Sequence, residues 1–176
     1  GFEMQGNEDG TGRVLFDDDP DSVVGRTSLR FTPNPYKGMY ATAVFPRERN
    51  AAWNLSGKTH VSFWLRAENP NIPGFQEPGP DVRLHPGGGP EKTAKTEQTV
   101  KIQPSGGRNL LVGVPFSEAR WTWMHVRVPL KADADWSVEG AAGTSLEHVR
   151  AVSISLDSWG GDPFTAWIDG LAFEGP

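Results

Sequence analysis

Trp159 stands in a short loop between Asp157 and Asp162, with Gly160 and Gly161 following it. An indole offers a flat apolar face, and carboxylates accept strongly from neighbouring hydroxyls. Glycines leave room beside the ring. A sugar, with its C–H face beside hydroxyls, asks for this combination. Arg120 and Trp121 form a second pair of the same kind. The alternative for Trp159 is a lid over one end of a core. A different chemistry is open to Asp17, Asp18, Asp19 and Asp21, which crowd around Pro20. Hard cations want several oxygen ligands, but the run lacks the spacing and terminal glutamate of an EF-hand. A solvated turn is the simpler expectation there.

Catalytic patterns do not stand out. Glycoside hydrolysis needs two carboxylates facing each other across a cleft, and none of the 22 acidic residues is singled out for it. His60, His85, His125 and His148 lack the spacing of zinc ligands. His125 and Arg127 share one strand face and could meet an acidic sugar or a surface carboxylate. Gly87, Gly88 and Gly89 are not followed by the lysine and hydroxyl residue of a phosphate loop. The chain has no cysteine, hence no disulfide and no thiol chemistry. A non-catalytic role is expected. The formal charge of -5 and unclustered basic residues give no general attraction to nucleic acid or to an anionic membrane. No run of 18 apolar residues is present to span a bilayer.

The elements that must carry these residues read as strands. The chain is organised around its last stretch, 151–173, in which two strands flank the glycine-rich loop of Trp159. Val152, Ile154 and Leu156 alternate with Ser153 and Ser155, and Phe164, Ala166 and Ile168 alternate with Thr165, Trp167 and Asp169. Period-two alternation marks a strand with one buried face. Val61, Phe63 and Leu65 against Ser62, Trp64 and Arg66 give the best central strand. Thr122, Met124, Val126 and Val128 against Trp121, Trp123, His125 and Arg127 give another. Shorter strands are expected at 2–4, 14–16, 27–31, 39–45, 81–84, 99–102 and 110–114, with 146–150 as a turn of helix or a strand lead-in. Trp64, Trp123 and Trp167 are expected in the core, and Trp53, Trp121, Trp136 and Trp159 at edges or in loops. The segment 69–95 is rich in glycine and proline and reads as a long loop insertion. No stretch carries the stripe of a long amphipathic helix. Short strands between glycine and proline turns, over 176 residues, predict a single all-β domain, an antiparallel β-sandwich of jelly-roll type.

Several of these stretches carry a family resemblance. They are Gly1-Phe2-Glu3, the run from Val24 to Leu29, Leu55-Ser56-Gly57-Lys58 leading to Ser62-Phe63-Trp64-Leu65, and the run from Trp167 to Phe173. Trp123 with Val126, Val128, Pro129 and Leu130 adds a fifth. Together they resemble the galactose-binding-like β-jelly rolls, which include many non-catalytic carbohydrate-binding modules. The resemblance implies a structural calcium ion between the first and last strands, with Glu3 and Asp169 as side-chain ligands and backbone oxygens near Val24 and Arg26 completing the shell. Such an ion would staple the two chain ends together. It also implies a poly- or oligosaccharide partner, with Trp159, Asp157, Asp162, Trp121 and Arg120 as ligand-binding residues. A secreted, cell-surface or periplasmic setting and covalently attached neighbouring domains belong to the same expectation. The rival is a structural or protein-interaction jelly roll within a multidomain protein.

Overall fold

The computed structural model describes residues 1–6, 14–33, 40–68, 70, 79–87, 100–104, 110–111, 114–115, 122–140, 145–157, 162 and 164–175. Its strands in chain order are β1 (Glu3–Gly6), β2 (Val14–Asp19), β3 (Ser28–Pro33), β4 (Tyr40–Phe45), β5 (His60–Glu68), β6 (Gly79–Pro86) and β7 (Val100–Pro104). They continue with β8 (Leu110–Leu111), β9 (Val114–Pro115), β10 (Met124–Pro129), β11 (Trp136–Glu139), β12 (Val149–Asp157) and β13 (Thr165–Glu174). A large sheet of six strands runs β1-β4-β12-β6-β7-β11, and a small sheet of five runs β10-β5-β13-β3-β2. The pairings in both are antiparallel. The fold is the expected all-β antiparallel sandwich of two sheets, consistent with a jelly roll.

The two strands of the last stretch go to different sheets. β12 is the third strand of the large sheet and β13 the third strand of the small one. Each supplies its apolar parity to the space between the sheets. From β12 come Val152, Ile154 and Leu156, and from β13 Ala166 and Ile168. Beside the β13 residues, in the same sheet and across from β12, stand Val61, Phe63, Leu65 and Ala67 of β5. Phe63 and Leu65 are fully buried. Removing each such side chain from water contributes roughly 1.5–3 kcal/mol relative to leaving it exposed. Phe2, Phe45, Trp53 and Phe173 form a chain of ring contacts, with centroids 5.0, 6.1 and 5.0 Å apart. These rings pack against the core.

Several expectations need correction. Trp136 is 1% exposed and opens β11, a strand the sequence reading missed. Its neighbours Asp133 and Asp135 have the look of a loop, and Asp133 does accept the Trp136 amide at 2.8 Å. Asp17, Asp18 and Asp19 extend edge strand β2 instead of turning. Arg30, on the neighbouring strand, pairs with two of them, Asp17 at 2.8 Å and Asp19 at 3.4 Å. Within 69–95, the short strand expected at 81–84 is present but longer, as β6, and it is an interior strand between β12 and β7 rather than part of a loop. The stretch 110–114 divides between β8 and β9, which pair only with each other. Trp64 and Trp167 stand on the outer face of the small sheet, not between the sheets. Trp167 is nonetheless 6% exposed, with the Arg66 guanidinium 4.6 Å from its ring.

Candidate functional site

Alternation along β12 sends Ser153, Ser155 and Asp157 to the face opposite the core. Register then decides what lies beside them. On one side β4 places Val44 next to Ser153, Thr42 next to Ser155 and Tyr40 next to Asp157. On the other, β6 places His85 next to Ala151, Arg83 next to Ser153 and Asp81 next to Ser155. The edge strand β1 adds Glu3 beside Val44 and Gln5 beside Thr42. The outer face of the large sheet is therefore a polar grid. Neighbouring strands are ~4.8 Å apart and same-face residues roughly 7 Å apart along a strand.

The short side chains of this grid are tied to one another. The Thr42 and Ser155 hydroxyls are 2.8 Å apart, and His85 Nε2 lies 3.0 Å from the Ser153 hydroxyl. All four residues are buried, as polar groups can be only when they are hydrogen-bonded. Gln5 Nε2 donates to Glu3 Oε1 at 2.9 Å, and Arg49 pairs with the other Glu3 oxygen at 3.6 Å. The longer Asp81 and Arg83 are half-buried. Arg83 Nε is shielded from solvent and has no hydrogen-bond partner among the described residues, a cost unless another acceptor arrives. The half-buried carboxylate of Asp81 and guanidinium of Arg83, set on a rigid sheet above this buried network, can bind a polyhydroxylated ligand.

Asp157, from the sequence-predicted ligand site, closes the β12 row at its C-terminal end and is half-buried. Asp162 is exposed beyond it. Trp159, Trp121 and Arg120 lie outside the described residues. The sequence reading missed Thr42, Asp81, Arg83 and His85. Their signal was present, since Asp81-Val82-Arg83-Leu84-His85 alternates cleanly, but it sits inside a stretch that reads as a loop.

The residues expected to hold calcium are differently engaged. Asp169 Oδ2 accepts the Val23 and Val24 amides at 2.7 and 2.6 Å, and Oδ1 accepts the Gly170 amide at 2.7 Å. Asp169 thus clasps the 20–27 loop onto the outer face of the small sheet. Asp21 holds the same loop by pairing with Arg66 and accepting from Trp123 Nε1 at 3.3 Å. Gly170 makes the close approach possible. It has φ +58°, and a Cβ there would lie 2.8 Å from Val24 Cγ2. The loop presents N–H groups to Asp169, and N–H groups do not ligate cations. Arg26 is exposed, and Glu3 belongs to the other sheet. As arranged, the four residues do not fit a calcium shell, and an ion at Asp169 would have to displace the amides. Among the described residues no group of three or more His, Cys, Asp or Glu is placed to hold a metal.

An antiparallel sandwich with a polar outer face on its larger sheet is the class of protein that this fold and site define. Solved structures of the same architecture include a family 30 carbohydrate-binding module, at TM-score 0.55 and 14% identity over 98% of this chain and 91% of that one. The family 11 carbohydrate-binding module of a Clostridium thermocellum cellulosomal cellulase matches at TM-score 0.56 and 10% identity, over 99% of this chain and 88% of that one. An exo-β-agarase matches at TM-score 0.59 and 10% identity, over 99% of this chain but 23% of the agarase. At such identities the likeness establishes the fold alone. No family model and no curated protein matches the sequence.

Proposed function

We propose that the chain is a non-catalytic carbohydrate-binding module that recognises a poly- or oligosaccharide on the outer face of its large sheet. One observation carries the reading. Ser153, Ser155 and Asp157 line the central strand, flanked in register by Thr42 on one side and Asp81, Arg83 and His85 on the other. The likeness in fold to carbohydrate-binding modules supports it. Trp159, two residues past Asp157 in the chain, is the proposed stacking platform. Asp162, Trp121 and Arg120 are proposed as further contacts. A sugar would meet the half-buried Asp81, Arg83 and Asp157 on the strands and an apolar face on the loop. The setting proposed is a secreted or cell-surface protein in which the module is joined to other domains.

Isothermal titration with soluble neutral and uronic oligosaccharides tests this. Binding is expected to be weak, because desolvating hydroxyls and ordering loops offset much of the contact energy. Arg83→Ala and Trp159→Ala are each expected to weaken it by tenfold or more while the melting temperature stays nearly unchanged. Absence of heat with every glycan class would replace the carbohydrate reading with the structural one.

A further inference from the structure

The outer face of the small sheet carries a depression of about 520 Å³ at the end where β2, β3, β13 and β5 lie side by side. This volume falls in the range of ~300–1,000 Å³ typical of small-molecule sites. Leu15, Phe16, Asp17, Arg30, Thr32, Glu68, Thr165 and Trp167 supply its lining above Phe31 of the core. Leu15 and Phe16 are 64% and 54% exposed, the two most exposed large apolar side chains among the described residues. The Thr32 and Thr165 hydroxyls meet at 2.8 Å. Arg30 is committed to Asp17 through two bonds, at 3.0 and 2.8 Å. Glu68 has no partner among the described residues.

We infer that this depression is a second saccharide site, back to back with the first, and that it takes a neutral sugar unit. The inference rests on the carbohydrate reading above and adds a place and a charge preference. Leu15, which shares the outer face with Thr32 and Arg30, and the edge of Trp167 offer an apolar wall for a C–H face, and a ring on such a wall is held by contact and not by charge. The threonine hydroxyls and the Glu68 carboxylate offer acceptors to hydroxyls at its edge, the carboxylate bonds being the stronger. Charge selects the ligand class. Asp17 and Glu68 outnumber Arg30, and Arg30 is already neutralised, so a uronate or sulfate ester would meet uncompensated negative charge. Two sites on opposite faces would let one module bridge two segments of a glycan, raising its hold through effective concentration without tighter contacts at either site.

The test is a backbone amide NMR titration of the whole chain with neutral β-glucan, xylan and agarose oligosaccharides, and with uronic oligosaccharides as the contrast. The neutral sugars are expected to shift the amides of Leu15, Phe16, Thr32, Glu68 and Thr165. Leu15→Ala and Glu68→Gln should each reduce those shifts by tenfold or more in apparent affinity. Both side chains lie at the surface, so the spectra should otherwise keep the fold. Arg83→Ala should leave these shifts in place while removing those on the large sheet. Shifts confined to the large sheet, or wholly lost in Arg83→Ala, would overturn the second site and leave the first standing. Uronic sugars shifting these amides as strongly as neutral ones would overturn the charge preference. A spectrum unmoved by every sugar would overturn both sites together.

Discussion

Replacing Asp169 with alanine separates two accounts of the last strand. In the structure Asp169 receives the Val23 and Val24 amides at 2.7 and 2.6 Å and so fixes the 20–27 loop from 145 residues or more away in sequence. Hydrogen bonds to a charged group contribute roughly 1.5–3 kcal/mol each when shielded. Val23 and Val24 are exposed, so their freed amides regain water and the loss sits at the low end. A total of about 3 kcal/mol follows for the two bonds. For a chain of this size 1 kcal/mol moves the melting temperature by roughly 2–4 °C, so Asp169→Ala should lower it by about 6–12 °C. Scanning calorimetry in excess calcium and in chelator is the assay. If the carboxylate works as a clasp, the drop is the same in both buffers. If calcium raises the wild-type melting temperature by mass action and Asp169→Ala erases only that gain, the clasp argument is refuted and the family-implied metal role is right. Oligosaccharide binding to the large sheet should be untouched by the variant either way.

Two further outcomes follow from the packing and the charges. Phe63 is fully buried between the sheets, so Phe63→Ala should cost about 3–5 kcal/mol by denaturant unfolding. A loss of surface size would say that β5 is not central. Glu174 accepts from Arg127 Nε at 2.8 Å. Its carboxyl is held below the ordinary range by a Ser62 hydrogen bond first and by Arg127 next. A depressed carboxylate contributes stability that is present above its unfolded pKa and lost as pH falls through its folded one. Glu174→Gln should therefore lower the melting temperature near neutrality and flatten its fall in acid. A variant curve parallel to wild type through the acid range would dismiss the linkage.

The strands were largely legible because burial on one face writes itself into the chain at period two. Val152, Ile154 and Leu156 are core residues as their alternation demands, and so are Val61, Phe63 and Leu65. Alternation names two faces but does not say which one another layer covers. Trp167 shares its parity with Asp169 on the outer face, yet the Arg66 stem and guanidinium bury it almost as well as the core would. Aromatic identity alone therefore misplaced it. Trp136 shows the reverse, a fully buried ring on a strand of four residues too short to show a period.

The candidate site was less legible for a different reason. Ser153 and Ser155 can be read as outward residues from their own strand. Their neighbours Thr42, Arg83 and His85 come from 68 to 113 residues earlier in the chain, brought alongside only by register. A register is set by the fit of inward faces, here Ala43, Val82 and Ile154 in one row. The core thus decides which polar residues meet, although it contributes no atom to the face they form. A one-residue slip of β6 would turn Asp81, Arg83 and His85 inward and put Val82 and Leu84 on the surface. That exchange would bury unpaired charge, so the apolar alternation that secures the core also secures the polar grid. Substitutions at Thr42, Arg83 or Ser155 can therefore retune the outer face, while the inward residues keep its positions fixed.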